Sequence, residues 1–113
     1  MTVEQICKVL KLGQAKAKVF TDEADLLSLV TETLPSLDEC CIIRQEAIHR
    51  RGIPDLIACY RGYFIGIELK DNEGKQSSQQ CKWQQKIEAA RGLYILADNV
   101  TPICEALMQI AQR

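Results

Sequence analysis

Apolar residues recur at helical intervals near the start of the chain: Val3, Ile6, Val9 and Leu10 follow Thr2-x-x-Gln5, which has capping-box spacing. With Gly13 as a stop, they predict a short helix over about 2–12. Thr21 or Asp22 can cap a second helix running to about Leu34, with Leu26, Leu27, Val30 and Leu34 in one stripe and Pro35 ending it. Residues 40–48, 55–60 and 63–70 read as strands. Ser77-x-x-Gln80 again has capping-box form, and Gln80, Trp83, Gln84 and Ile87 share one helical face up to a stop at Gly92. LYILA, 93–97, is continuously apolar, as befits a central strand covered on both faces. Thr101 and Pro102 form an N-cap and N1 pair for a last helix with Ile103, Ala106, Leu107 and Ile110 inward. The predicted order is ααβββαβα, an α/β fold.

Three charges interrupt the best strands. In GIPDLIACYRGYFIGIELK, 52–70, the turn Arg61-Gly62 would set Tyr60 opposite Tyr63, with Gly62 tolerating the positive φ such a turn needs. Stepping outward along both strands brings Asp55 across from Glu68, and Lys70 points to the same face. A three-residue loop with a bulge would shift this register by one. Opposed carboxylates destabilise a sheet, and burial would raise the pKa of one unless a cation compensates. A divalent ion resolves the conflict, and oxygen-only ligation suits magnesium or manganese better than zinc. Such an ion polarises a phosphodiester and lowers the pKa of an attacking water, while Lys70 positions that water or neutralises developing charge. An isolated ExK triplet is common and reads first as an exposed ion pair on a solvated face; the matching Pro54-Asp55 upstream moves the reading toward a nuclease site.

At 113 residues the chain fits one domain, 1–113. Hydrophobic residues make up 47% and charged residues 26%, an ordinary globular composition. No apolar run approaches the roughly 20 residues of a membrane span, and no secretory signal is visible, so a cytoplasmic location is expected. The six cysteines then read as reduced, most of them small buried hydrophobes. With no CxxC and no metal-ligand spacing to His49, a structural zinc site is not expected. The net charge of −1 conceals two basic stretches, Lys8 to Lys18 and Arg44 to Arg51, which suit either a solvated surface or phosphate contacts.

Pro54-Asp55 followed by Glu68-Leu69-Lys70 resembles the PD-(D/E)XK signature of restriction-endonuclease-like nucleases. Over residues 21–100 the ordered set is similar to the VRR-NUC family: Glu23 opening a helix, a basic strand leading into GIPDL, then IELK, a GK loop, Gln80-x-x-Trp83 and a Gly-led strand. The resemblance implies a restriction-endonuclease-like core with a mixed four- to five-stranded sheet flanked by helices. It implies Asp55 and Glu68 as metal ligands, the Leu69 carbonyl as a further ligand, and Lys70 as the catalytic lysine. Glu23 would complete the site, and Gln80 would support Lys70 or the phosphate. Glu23 is equally an acid at a helix N-terminus, with Glu32 and Glu46 as weaker substitutes. Gln80 is also the capping residue, and Trp83 is expected in the core.

Small stand-alone members of that family, many from bacteriophages, resemble endonucleases that cut branched DNA such as four-way junctions as homodimers. The implied function is therefore a magnesium- or manganese-dependent Holliday junction resolvase, acting in the host cytoplasm if phage-encoded. Arg44, His49, Arg50 and Arg51 would contact DNA phosphates. The helix at 2–12 would either join a dimer interface or pack on its own domain. An aromatic content of 5% argues against single-strand binding through base stacking. Alternatives are a nickase, a flap or restriction-like duplex endonuclease, and a non-catalytic DNA-binding module.

Overall fold

The computed structural model of the protein describes residues 1–16, 23–45, 52–70 and 75–113. Its elements are α1 (Val3–Lys16), α2 (Glu23–Thr33), a 3-10 turn (Leu34–Ser36), β1 (Cys40–Arg44), β2 (Leu56–Tyr60), β3 (Tyr63–Leu69), α3 (Ser78–Ala89), β4 (Leu93–Ala97) and α4 (Thr101–Ala111). The strands form one mixed sheet in the order β1-β2-β3-β4, antiparallel throughout except for the parallel pair β3–β4. Four strands are present among the described residues, and no helix there is long and apolar enough to cross a membrane.

The hairpin has the two-residue turn. Tyr60 pairs with Tyr63, while Arg61 (φ 51°) and Gly62 (φ 87°) both take positive φ, as a turn matched to strand twist requires. The bulged alternative is thereby set aside. Arg61, a side-chain-bearing residue at positive φ, is tied down by its guanidinium, which donates to Glu39 Oε2 at 2.6 Å and to the Ala111 carbonyl at 3.0 Å. The second bond also caps the C-terminal end of α4.

Alternation along the strands separates two faces. Leu56, Ala58 and Tyr60, Ile65, Ile67 and Leu69, and Ile95 and Ala97 are buried on the inner face, where α1, α2 and α4 complete the core with Ile6, Leu10, Leu26, Val30, Ile103, Leu107 and Ile110. The outer face carries Ile57, Phe64, Gly66, Glu68 and Tyr94, and α3 lies across its β3–β4 half. A Cβ placed on Gly66 would meet Pro54 Cγ at 2.9 Å and Ile87 Cδ1 at 3.1 Å, so this glycine lets both press against the sheet.

Several boundaries move for local reasons. α1 runs past Gly13 to Lys16, because Gly13 is a packing glycine: a Cβ there would lie 2.5 Å from Leu29 Cδ1. Its buried stripe is Val3, Ile6, Cys7 and Leu10, packed on α2 and α4 of the same domain, while Val9 and Leu12 are exposed. After α3 the positive φ falls on Arg91 (67°), not Gly92. Gly92 instead admits Ile87 Cγ2 and Phe64 Cδ1, which a Cβ would meet at 2.9 and 3.2 Å. Thr101 is the first residue of α4 rather than its cap, and the Asn99 side chain accepts its amide at 2.9 Å.

All six cysteines are free thiols, but the expectation that most are buried fails. Cys7 and Cys104 are buried, Cys40 and Cys81 partly so, and Cys41 and Cys59 are exposed on the outward side of β1 and β2. Trp83 is likewise half-buried, not core, with Lys86 Nζ 5.1 Å from its ring centre. The strand expected over 40–48 is seen over Cys40–Arg44. Glu46, His49, Arg50 and Arg51 lie outside the described residues, as does the expectation for the Glu23 side chain.

Candidate active site

Pro54 packs against Gly66, and the Gln45 amide donates to the Asp55 carbonyl at 3.0 Å, extending the β1–β2 pairing one step beyond the strands. Together they fix Asp55 at the start of β2. Its Oδ2 accepts the Leu69 amide at 2.8 Å, so the carboxylate reaches one residue past the position facing it and stands at the end of β3. An N–H bond to an anionic acceptor is short and strong, which holds the Asp55 side chain in one orientation.

Glu68 projects from β3 onto the outer face under α3 and is only 3% exposed, the one buried charged side chain among the described residues. Its Oε1 accepts Gln80 Nε2 at 2.7 Å and lies 4.0 Å from Lys70 Nζ. Lys70 sits just past the end of β3, its amide donating to the Ala97 carbonyl at 2.9 Å, which orders the backbone beside the site. Its ammonium is largely sheltered, so the attraction to Glu68 is less screened than on an open surface.

Gln80 serves two structures with one amide. Its backbone N–H donates to Ser77 Oγ at 3.2 Å and its Oε1 accepts the Ser77 N–H at 2.8 Å, completing the capping box that starts α3. The same side chain points its NH2 at Glu68. Cap and site roles are thus compatible, and the helix start is locked to the buried carboxylate.

A second layer escaped sequence reading. Tyr94 follows Leu93 on β4 and pairs with Gly66. Its hydroxyl accepts Gln76 Nε2 at 3.1 Å; Gln76 Nε2 also reaches Gln84 Oε1 at 2.9 Å, and Gln84 Nε2 donates to Glu88 at 3.0 Å. Burial pushes the Tyr94 phenol above the usual tyrosine range; the Gln76 bond pulls it down, and the charges of Glu68 and Asp55 push it up. The phenol therefore stays protonated beside both carboxylates. Gln84 was legible on the inward face of α3, but nothing in LYILA distinguishes Tyr94 from an ordinary strand residue.

The structure thus gathers Asp55, Glu68, Leu69, Lys70 and Gln80 at the end of the hairpin opposite its turn. Glu23 opens α2. Arg44 ends β1 with its side chain exposed, and Gly52 returns the chain against α3, its ideal Cβ position only 2.5 Å from the Gln79 carbonyl carbon. No group of three His, Cys, Asp or Glu side chains suited to a metal occurs among the described residues. The side-chain donors gathered here are the carboxylates of Asp55 and Glu68, both oxygen. That set suits magnesium or manganese, which complete their shells with water and phosphate oxygens, better than zinc, whose sites favour cysteine and histidine. Beside the site an apolar groove of about 360 Å³ runs between Pro54, Ile57, Phe64, Trp83 and Ile87.

No family model matches the chain, and no curated protein does. A solved structure described as a VRR_NUC domain is similar over 100% of this chain and 98% of its own length, with 16% sequence identity and a TM-score of 0.49.

Proposed function

We propose that the protein is a metal-dependent DNA endonuclease of the restriction-endonuclease-like, VRR-NUC type, hydrolysing phosphodiester bonds in branched DNA and resolving four-way junctions as a homodimer. The observation that carries this reading is the buried Glu68 carboxylate, held between Gln80 and Lys70 next to Asp55. Placing a carboxylate so deep is costly unless charge and hydrogen bonds compensate. A core built for stability alone would use an apolar residue there.

Asp55, Glu68 and the Leu69 carbonyl would hold magnesium or manganese, which when bound supplies polarisation of the scissile phosphate and a more acidic attacking water. The chain's own residues do the rest. Gln80 fixes Glu68 through Oε1, and the Leu69 amide fixes Asp55 through Oδ2, so neither carboxylate must be ordered when substrate arrives. Lys70 places a positive charge where the phosphorane-like transition state accumulates negative charge. Glu23, on the first residue of α2, is the proposed third acid. Arg44, His49, Arg50 and Arg51 would hold backbone phosphates, which sets register and affinity rather than base sequence. A homodimer supplies two such sites for paired cuts across a symmetric junction.

The test presents four-way, flapped, nicked and linear DNA in magnesium and in manganese, with the oligomeric state measured on the same preparation. Cleavage of the four-way substrate, lost in Glu68→Ala and in Lys70→Ala, is expected. Undiminished cleavage by either variant refutes the site. Preference for the flapped, nicked or linear substrate replaces junction resolution with that activity, and salt-sensitive binding without cleavage leaves a DNA-binding module.

A further inference from the structure

Cys41 and Cys59 face each other in the antiparallel β1–β2 ladder, and both are exposed on the outer face. At the two ends of this ladder the Gln45 amide donates to the Asp55 carbonyl and the Arg61 amide to the Glu39 carbonyl. Counting inward by twos makes Cys41 and Cys59 a hydrogen-bonded pair, whose Cα atoms stand about 5.5 Å apart. That separation lies in the range a disulfide spans. Their Cβ atoms, about 5.5 Å apart in this wider type of pair, must approach by about 1.5 Å to close a bridge, which leaves such a bridge strained and easily reduced.

The neighbouring Cys40 is different. It points to the inner face and is half-buried, and its thiol is pushed up to about 11, by burial first and then by Cys41 and Cys59. A thiol so held offers little thiolate at neutral pH. Packing explains the buried Cys7 and Cys104, but it does not explain two exposed thiols in register on adjacent strands.

We propose that Cys41 and Cys59 form a reversible dithiol–disulfide couple, a modification site whose oxidant is a hydroperoxide. One thiolate attacks a peroxide oxygen, breaking the O–O bond and leaving a sulfenic acid while the other oxygen departs as water or alcohol. The second thiol then displaces that hydroxyl as water, forming the S–S bond. The two sulfurs together give up two electrons and two protons, and the peroxide takes them up. A small dithiol reverses the step by exchange. The bridge ties the edge strand β1 to β2 on the outward face, and β2 begins beside Asp55.

The test treats the full reduced chain with one equivalent of hydrogen peroxide, then unfolds and alkylates it. Of six alkylatable thiols, two should be lost, leaving four, and dithiothreitol should restore all six. Peptide mapping should join the peptide of Cys41 to that of Cys59 with the loss of two hydrogen masses. Cys41→Ser and Cys59→Ser, at exposed positions and checked for native circular dichroism, should each form no intramolecular bridge. Six remaining thiols, a bridge through Cys40 or Cys81, sulfinic acid without a bridge, or only intermolecular disulfides would each overturn the proposal.

Discussion

Gln80 Nε2 donates to Glu68 Oε1 at 2.7 Å while the oxygen of the same side-chain amide accepts the Ser77 N–H at 2.8 Å, so one amide joins the start of α3 to the buried carboxylate on β3. A glutamate at this position would satisfy a capping box equally well, but it has no donor to give Glu68. The site therefore distinguishes two residues that the cap does not.

Gln80→Glu should keep the cap yet place two carboxylates in contact. Repulsion raises carboxylate pKa values in the folded state, so the variant should be destabilised at neutral pH and regain stability as pH falls. Gln80→Ala loses both bonds and should cost about 2–4 kcal/mol, from one cap and one bond to a charged acceptor. Urea unfolding at pH 7 and pH 5 separates the two; a Gln80→Glu variant insensitive to that change would show that Gln80 does not bear on Glu68.

Three glycines should rank by what a methyl group meets. Gly52→Ala combines φ +85° with backbone atoms of Gln79 at 2.5 and 2.6 Å and should be the most damaging. Gly66→Ala, at ordinary φ, must displace Pro54 and Ile87, costing about 1–3 kcal/mol. Gly62→Ala meets nothing within 4 Å and should cost only about 1 kcal/mol for its φ of +87°. Midpoints in urea should follow that order.

Tyr94→Phe removes the acceptor for Gln76 and the hydroxyl beside the two carboxylates while keeping the ring. Stability should fall by about 1 kcal/mol. If the hydroxyl orders the site, DNA cleavage by the variant should fall through its rate more than through substrate affinity. An unchanged rate would limit Tyr94 to packing.

Alkaline pH should destabilise the fold early. Burial raises the thiols of Cys40 and Cys104 and the phenols of Tyr60 and Tyr94 in the folded state. A raised folded pKa in an acid means that the native state holds its proton longer than the unfolded chain does. The stabilisation is complete below the unfolded thiol value near 9.0 and is lost as pH rises toward about 11, where Cys40 ionises in the native state. Thermal midpoints measured between pH 8 and 11 should decline, with a shallower slope in Cys40→Ala.

Local pattern is enough to read the hairpin and the position of its turn. Arg61-Gly62, with alternating apolar residues on either side, marks the turn but leaves a bulged register open; the Tyr60–Tyr63 pairing and the positive φ of both turn residues select the register that buries Leu56, Ala58, Ile65 and Ile67 together, since a shift of one residue turns every side chain over. Asp55, Glu68 and Lys70 then share an end of the hairpin through local pairing. The two capping boxes, at Thr2-Gln5 and Ser77-Gln80, were equally local, since their partners lie within one helical turn. Tertiary structure decided what depends on contact between distant segments. Gly13 is not a stop because Leu29 crosses it; Trp83 is only half-buried because α3 covers half of the outer face; Tyr94 joins the site because β4 lies parallel to β3. Cys41 and Cys59 meet only once β1 and β2 pair across the segment between them. Helical and strand periodicity records which side of an element is apolar, but not which distant side chain fills the space it faces.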